Sequence, residues 1–251
     1  MQLVFITALG VGGATIFGAL LGFAFKNIPH KWNDGVLGFA AGIMLAAAVI
    51  GLILPSAESV GRTGIWITAI GILCGAFFLN FADRMTPHLH HLTGVGEEAH
   101  KNNRSINKVM LFVLAILIHN FPEGLAAGVG VGAGDSGNAV LIAAGIALQN
   151  IPEGMVIIAP MLLSGISKKR TFAIASLTGA VEVAGTFIGF FAASISAAIL
   201  PFALAFAGGT MLYVISDEMI PETHSHGYER MATYSLMIGF IVMVVMDAFI
   251  A

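Results

Sequence analysis

Long apolar runs, separated by short polar segments, make up most of the chain. A helix needs about 20 mainly apolar residues to cross a lipid bilayer, and each run has roughly that length. The runs therefore predict eight membrane-spanning helices, near residues 3–25, 35–54, 64–81, 109–131, 139–163, 172–194, 196–215 and 231–250. The boundary between the sixth and seventh runs is the least sharply defined, because the two runs abut.

The composition agrees with this pattern. Hydrophobic residues make up 57% of the 251 residues, charged residues only 10%, and the mean hydropathy is +0.92. Since a soluble domain carries about 25% charged residues, lipid must cover much of the surface. The net charge of −3 and the lack of a basic stripe argue against a nucleic-acid partner. We therefore expect an all-α integral membrane protein that forms a single domain over residues 1–251 and has the lipid bilayer as a partner.

The basic residues indicate an orientation. Ten of the 11 Lys and Arg residues fall in the segments after the first, third, fifth and seventh runs, and only Arg62 falls on the opposite side. Because basic residues accumulate in cytoplasmic loops, both termini are expected outside the cytoplasm. No charge precedes Lys26, so the first run is interpreted as a retained span and not as a signal peptide. A multi-pass protein of the plasma (inner) membrane is expected.

Two of the apolar runs contain a duplicated polar motif. The fourth run has the sequence His119-Asn120-Phe121-Pro122-Glu123-Gly124, and the fifth has Gln149-Asn150-Ile151-Pro152-Glu153-Gly154. The two copies are 30 residues apart and share four of six residues. A third carboxylate, Glu182, lies in the sixth run. Ionisable residues at membrane depth are costly and are a functional hypothesis by default.

The spacing within each copy predicts a metal site. Residues four apart lie on one face of a helix, so His119 lies above Glu123, and Gln149 above Glu153. Imidazole, carboxylate and amide oxygens together suit a divalent cation, and the two prolines leave backbone carbonyls without helical partners. The alternative is that a single buried Glu or His only bonds a neighbouring helix, but it accounts poorly for a duplicated motif.

Pairs of glycines four residues apart occur in several of the runs. Small residues at this spacing allow two membrane helices to approach closely, so we expect helix contacts at these positions rather than chemistry. Three such pairs are Gly18/Gly22, Gly71/Gly75 and Gly185/Gly189.

The duplicated motif resembles the paired motif of the ZIP (Zrt-/Irt-like) divalent metal transporters, in particular their bacterial GufA-like branch. The resemblance extends over the chain and implies uptake of Zn²⁺ into the cytoplasm, with Cd²⁺, Fe²⁺, Mn²⁺ and Co²⁺ left open. It also implies a fold in which spans 1–3 and 6–8 are inverted repeats around the motif-bearing spans 4 and 5. A homodimer is left open as the oligomeric state.

The resemblance also assigns metal ligands. It implies a main transport site formed by His119, Glu123, Gln149 and Glu153, with Met44 from the second span. Asn120, Asn150 and Glu182 match an adjoining second metal site, which shares the two motif glutamates. Asn150 stands where relatives often have Asp, and a neutral amide cannot offset the repulsion between two adjacent dications. Simultaneous binding of two metals is therefore in doubt.

Other polar residues are candidates for the entrance and the exit of the pathway. Each could also be an ordinary solvated side chain. On the outer side Glu58 and Asp247 would form an entrance. The cytoplasmic candidates are Asp217, Glu218, Glu222, His224 and His226, together with a loop at about residues 83–108 that carries His88, His90, His91 and His100 beside Glu97 and Glu98.

Three classes of function compete. A transporter that moves a divalent cation by alternating access uses every polar residue of the motif. An intramembrane metalloenzyme, such as a membrane-embedded hydrolase, would need an ensemble such as His-Glu-x-x-His, which the sequence lacks. A structural membrane protein would leave the motif without a role. The sequence therefore favours transport, and not an enzyme.

Overall fold

The computed structural model describes residues 1–25, 29–92, 103–195 and 198–250. All regular structure in these ranges is helical. The α-helices are α1 (Gln2–Ala24), α2 (His30–Ala46), α3 (Leu54–Leu92), α4 (Asn103–Gly132), α5 (Ser136–Leu163), α6 (Lys168–Ile195), α7 (Leu200–Val214), α8 (Ile220–Thr223) and α9 (Glu229–Ile250), and two π-helical segments cover Ala47–Ile53 and Ile215–Met219.

The prediction of an all-helical membrane protein is confirmed. In the described part of the chain, six stretches are long and apolar enough to cross a bilayer: Gln2–Ala24, His30–Ala82, Ser136–Leu163, Lys168–Ser194, Leu200–Thr223 and Glu229–Phe249. The second stretch includes two of the predicted runs. They meet at Gly61, whose φ of 62° lies in the left-handed region that favours glycine. The backbone therefore turns there between the two predicted runs.

The helices pack in two groups. In one group α1 lies against α5 and α6, and α4 lies against α6. In the other group α2 packs on α9, and α3 packs on α7. Contacts between α2 and α5 join the groups, and α5 carries the second copy of the polar motif.

The predicted glycine contacts are confirmed. A Cβ atom at Gly18 would lie 2.1 Å from the carbonyl oxygen of Ile151 in α5, and one at Gly75 would lie 2.1 Å from that of Phe206 in α7. A Cβ atom at Gly189 would lie 2.2 Å from the carbonyl oxygen of Leu125 in α4. Since real Cβ atoms do not approach so closely, these helices can touch backbone to backbone only because the residues are glycines.

Candidate metal centre

A hydrogen bond joins the two copies of the motif. Gln149 in α5 donates from Nε2 to Oε1 of Glu123 in α4, at 2.8 Å. Glu123 Oε2 and Gln149 Oε1 are also buried, and neither accepts a hydrogen bond from the described residues. Buried polar atoms are nearly always satisfied, so two oxygens in this state at the junction of two motifs are suited to a ligand.

The glycine of each motif copy lies at a helix crossing. A Cβ atom at Gly124 would lie 2.1 Å from the carbonyl oxygen of Glu182 in α6, and one at Gly154 would lie 2.2 Å from that of Thr15 in α1. The preceding residue in each copy is the glutamate. The sequence Glu-Gly therefore fixes the depth of each carboxylate relative to the crossing of its helix with a neighbour.

Glu182 is the acceptor in a second group of buried hydrogen bonds. Asn120 donates from Nδ2 to Oε1, and Asn150 donates from Nδ2 to Oε2 at 2.8 Å. The hydroxyl of Thr15 lies 2.8 Å from both oxygens. The amide oxygens of Asn120 and Asn150 are buried and receive no hydrogen bond from the described residues.

A cavity of about 470 Å³ leads from the motif to one surface of the protein. Its inner wall includes His119, Glu123 and Glu153, and its outer part includes the exposed residues Asp217 and Glu222. Because the first group is buried or half-buried and the second is exposed, the motif can be reached from this surface.

His119 contacts an acid that lies outside the duplicated motif. Its Nε2 lies 2.6 Å from Oε1 of Glu218, a residue that is 33% exposed and that also lines the cavity. No three His, Cys, Asp or Glu side chains among the described residues surround a single metal position. The cavity brings His119, Glu123 and Glu153 together without arranging them as a finished coordination shell.

Apolar side chains lie on the other side of the motif. Ile142 and Ile146 of α5 pack in one buried cluster with Ala127 of α4 and with Met44. The Ile142 side chain lies where Cβ atoms at Gly51 and Gly130 would approach to 2.7 and 2.9 Å, so it fills the gap between the π-helical segment and α4. The predicted ligand Met44 is fully buried in this cluster.

The predicted entrance acids lie at different depths. Glu58 is exposed and shares a shallow cavity of about 370 Å³ with Arg62. Asp247 is half-buried near the end of α9. Asp135 lies between the fourth and fifth runs, in a segment that the basic residues also predict to be outside. It accepts hydrogen bonds from the backbone of Gly137 and Asn138 at 3.0 and 3.2 Å, and so caps the start of α5.

The predicted exit histidines differ in their contacts. His224 lies 2.8 Å from the carbonyl oxygen of Ile220 through Nδ1 and 3.2 Å from the Thr233 hydroxyl through Nε2. His226 lies 3.0 Å from Asp34, which is fully buried, and stacks on His30. The side chains of His88, His90 and His91 lie outside the described residues, as do Glu97, Glu98 and His100.

Comparison with known proteins identifies the family. Residues 95–247 match the family model described as ZIP zinc transporter. The chain is 41% identical to "Zinc transporter GufA" of Myxococcus xanthus over 96% of both chains. It is 37% identical to "Zinc transporter ZIPB" of Bordetella bronchiseptica, over 93% of this chain and 77% of that protein. Human "Zinc transporter ZIP11" is 31% identical, over 94% and 93% of the two chains.

The chain belongs to the ZIP zinc transporter family.

ZIP membership confirms the resemblance inferred from the duplicated motif. It also removes the basis for an intramembrane hydrolase, since the family and the relatives named above are transporters, not enzymes. The protein is therefore a multi-pass membrane protein of a transport family.

Sequence reasoning missed two residues of this ZIP protein. Asp34 was assigned no role, and nothing in its sequence context indicates that it is buried beside His226. Thr15 is a single hydroxyl in an apolar helix, but a comparison of α1 with α6 could have found it. Gly12, Gly18 and Gly22 recur as Gly179, Gly185 and Gly189 at the same offset of 167 residues, which aligns Thr15 with Glu182.

Proposed function

We propose that this protein carries Zn²⁺ across the plasma membrane into the cytoplasm. The observation that supports the proposal most directly is a set of buried oxygens that accept no hydrogen bond from the described part of the chain, on Asn120, Glu123, Gln149 and Asn150. Carboxylate and amide oxygens ligate divalent cations, and Glu123 borders a cavity that reaches the surface. The relatives that match over most of the chain are named zinc transporters.

The main site is proposed to consist of His119, Glu123, Gln149 and Glu153. The two carboxylates compensate the charge of the dehydrated cation, and the imidazole adds a nitrogen ligand. Zinc binding requires His119 to leave Glu218, which lies 2.6 Å from its Nε2. Met44 is proposed as a contribution of α2 to the same site, where its thioether would favour soft cations such as Cd²⁺.

Transport is proposed to proceed by alternating access. The conformation described here has its cavity on the side of Asp217 and Glu222, which the distribution of basic residues assigns to the cytoplasm. Both termini, Glu58 and Asp247 are then outside, with the two acids as the entrance. The apolar cluster around Ile142 and Ile146 closes the outer side, and an outward-facing state would have to part it.

The proposed architecture has eight spans, with spans 1–3 and 6–8 as inverted repeats, in one domain over residues 1–251. Equivalent contacts support the repeat. Gly42 contacts the backbone of Leu236, and Gly209, which follows it by 167 residues, contacts that of Ile72. The two π-helical segments, Ala47–Ile53 and Ile215–Met219, fall at matching positions under the same offset.

Uptake into proteoliposomes tests this function. We expect the purified full-length protein to admit zinc, and Glu123→Gln to reduce uptake to the level of protein-free vesicles. The substitution keeps the shape of the side chain and removes its charge. Glu229→Gln, at an exposed acid in the first turn of α9, is the matched control and should behave as the wild type. Wild-type uptake by Glu123→Gln would refute the assigned site, and no uptake by the wild type would refute zinc transport.

A further inference from the structure

Helices α1 and α6 cross where two glycines face each other. A Cβ atom at Gly12 would lie 2.4 Å from the carbonyl oxygen of Gly179, and one at Gly179 would lie 2.5 Å from that of Gly12. Three residues further along each helix, Thr15 meets Glu182, and both side chains are fully buried. The close crossing therefore places the hydroxyl of Thr15 against the carboxylate of Glu182.

The hydroxyl of Thr15 is used differently from those of the buried residues Thr178 and Thr210. Thr178 and Thr210 donate to the carbonyl oxygens of Ala175 and Ala207, three residues earlier in their own helices. Thr15 instead donates across the helix crossing to Glu182, at 2.8 Å from each carboxylate oxygen. Its contact thus belongs to the group around Glu182 and not to the local structure of α1.

The carboxylate of Glu182 fixes the orientation of two amides. Asn120 and Asn150 both present their N–H₂ groups to the oxygens of Glu182. Their amide oxygens then point away from Glu182, and they are among the buried oxygens that receive no donor from the described residues. Both oxygens of Glu182, in contrast, already accept hydrogen bonds.

We propose that Glu182 is a positioning residue and not a metal ligand, and that Thr15 acts with it to hold the oxygens of Asn120 and Asn150 toward the transported cation. The proposal rests on the zinc transport function proposed above and refines it. It replaces the second metal site with a set of hydrogen bonds, so that one zinc ion is bound in the membrane core. The residue at position 150 is consistent with hydrogen bonding in place of a second metal. An ionised aspartate there could not donate a hydrogen bond to Glu182, whereas the amide of Asn150 does.

Thr15 also contacts a motif-bearing helix through its backbone. The carbonyl oxygen of Thr15 lies where a Cβ atom at Gly154 would approach to 2.2 Å, so α1 rests on α5 at the residue after Glu153. Thr15 therefore contacts the second motif copy through its backbone, and it donates a hydrogen bond to Glu182 through its side chain. Outer hydrogen-bond partners of metal ligands typically contribute roughly 10–100-fold to metal affinity.

Thr15→Val tests whether the hydroxyl of Thr15 supports zinc affinity through Glu182. Because an outer hydrogen-bond partner supports affinity in either role of Glu182, the number of zinc ions bound decides whether Glu182 is itself a ligand. If Glu182 positions the amides, removal of the hydroxyl loosens them. We then expect the apparent Michaelis constant for zinc uptake to rise by roughly 10-fold or more, with the maximal rate changed far less.

Two variants keep the test specific. Thr15→Ser retains the hydroxyl and should restore nearly wild-type affinity. Thr178→Val removes a buried hydroxyl of the same kind outside the group and should leave the Michaelis constant unchanged. If Thr15→Val does not fold, as judged by gel filtration, Thr15→Ala takes its place. An unchanged or lowered constant in the hydroxyl-free variant, or a loss in Thr15→Ser as large as in Thr15→Val, would overturn the proposal.

The number of zinc ions bound provides an independent readout. Equilibrium zinc titration of the solubilised full-length protein, with His88, His90, His91 and His100 replaced by Ala, should give one tight equivalent per chain. Two tight equivalents would overturn the proposal while leaving zinc transport intact. A wild-type protein that neither binds nor transports zinc would refute the proposed function itself, so the two failures are distinguishable.

Discussion

His119 Nε2 lies 2.6 Å from Oε1 of Glu218, so a proposed zinc ligand is bonded to a residue of the opposite cavity wall. His119 belongs to α4, and Glu218 belongs to the π-helical segment Ile215–Met219 after α7. The imidazole is 4% exposed and the carboxylate 33% exposed. This pair therefore joins the buried motif to the solvent-accessible part of the cavity, in the direction in which zinc would leave.

The pair predicts that Glu218 assists release. When zinc departs toward the cytoplasm, Glu218 is the acceptor that His119 can take up in place of the metal. Glu218→Gln weakens that acceptor, so release should slow while binding persists. We expect the maximal uptake rate and the apparent Michaelis constant of proteoliposomes to fall together, by about threefold or more each, because a slower step after binding lowers both.

Glu229→Gln serves as the control for this substitution as well, since Glu229 is an exposed acid that does not line the cavity. A higher Michaelis constant with an unchanged maximal rate in Glu218→Gln would instead mean that Glu218 acts in binding, and the release role would be wrong.

Gly154→Ala should destabilise the protein strongly. Its new Cβ atom would lie 2.2 Å from the carbonyl oxygen of Thr15 and 2.9 Å from the amide nitrogen of Ala19, so α1 and α5 must separate. Overpacking in a core typically costs about 1–3 kcal/mol, and backbone atoms yield less readily than side chains. Thermal unfolding of the detergent-solubilised protein should show a clear decrease in Tm. Gly13→Ala is the matched control in α1, because a Cβ atom there meets nothing within 4 Å; equal Tm values for the two variants would contradict the packing argument.

The outer acids should act through long-range electrostatics. Glu58 is exposed and Asp247 half-buried, and negative charges at an entrance raise the local cation concentration. Replacing both with their amides, Glu58→Gln and Asp247→Asn, should raise the apparent Michaelis constant about threefold or more at low ionic strength. The maximal rate should stay nearly intact, and the effect should shrink as added salt screens the charges. An unchanged constant at low salt would show that the two acids are ordinary surface charges.

The proposed orientation can be tested by labelling. In a Cys74→Ser background, Glu58→Cys should react with a membrane-impermeant maleimide added to intact cells, because position 58 is exposed and assigned to the outside. Ser225→Cys, an exposed position that lines the cavity, should react only after the membrane is permeabilised. The reverse pattern would invert the topology and with it the direction of transport.

The sequence predicted the helices well because hydrophobicity alone determines where membrane spans occur. The run at residues 139–163 became α5 (Ser136–Leu163), and the run at residues 3–25 became α1 (Gln2–Ala24). The π-helical segments were not predicted. In segments that are buried and apolar on most sides, an extra residue in a turn leaves no periodic signal, so the pattern around Ala47–Ile53 resembles that of an α-helix.

The sequence predicted which residues make up the candidate site, and it did not predict how their side chains contact one another. Of the predicted ligands, Glu123 and Glu153 line the same cavity. The spacing of the motif could not show that His119 bonds Glu218 or that Glu182 bonds Thr15, because these pairs join residues distant in sequence whose contact depends on helix crossings. In the sequence, only the glycine pairs indicated these helix crossings. They predict that two helices approach closely, but they do not identify the second helix.

The one-sided cavity has an electrical consequence. With the proposed orientation the cavity is continuous with the cytoplasm and shares its potential, so in this conformation the membrane voltage would fall mainly across the apolar layer around Ile142 and Ile146. Moving one charge through the full voltage involves about 2.3 kcal/mol per 100 mV. Exchange of zinc between the proposed site at Glu123 and the cytoplasm would avoid that layer and would therefore be insensitive to voltage. The voltage would act instead on the conformational change between the inward-facing and outward-facing states. In that step the charge of the site and its ion moves relative to the apolar layer around Ile142 and Ile146.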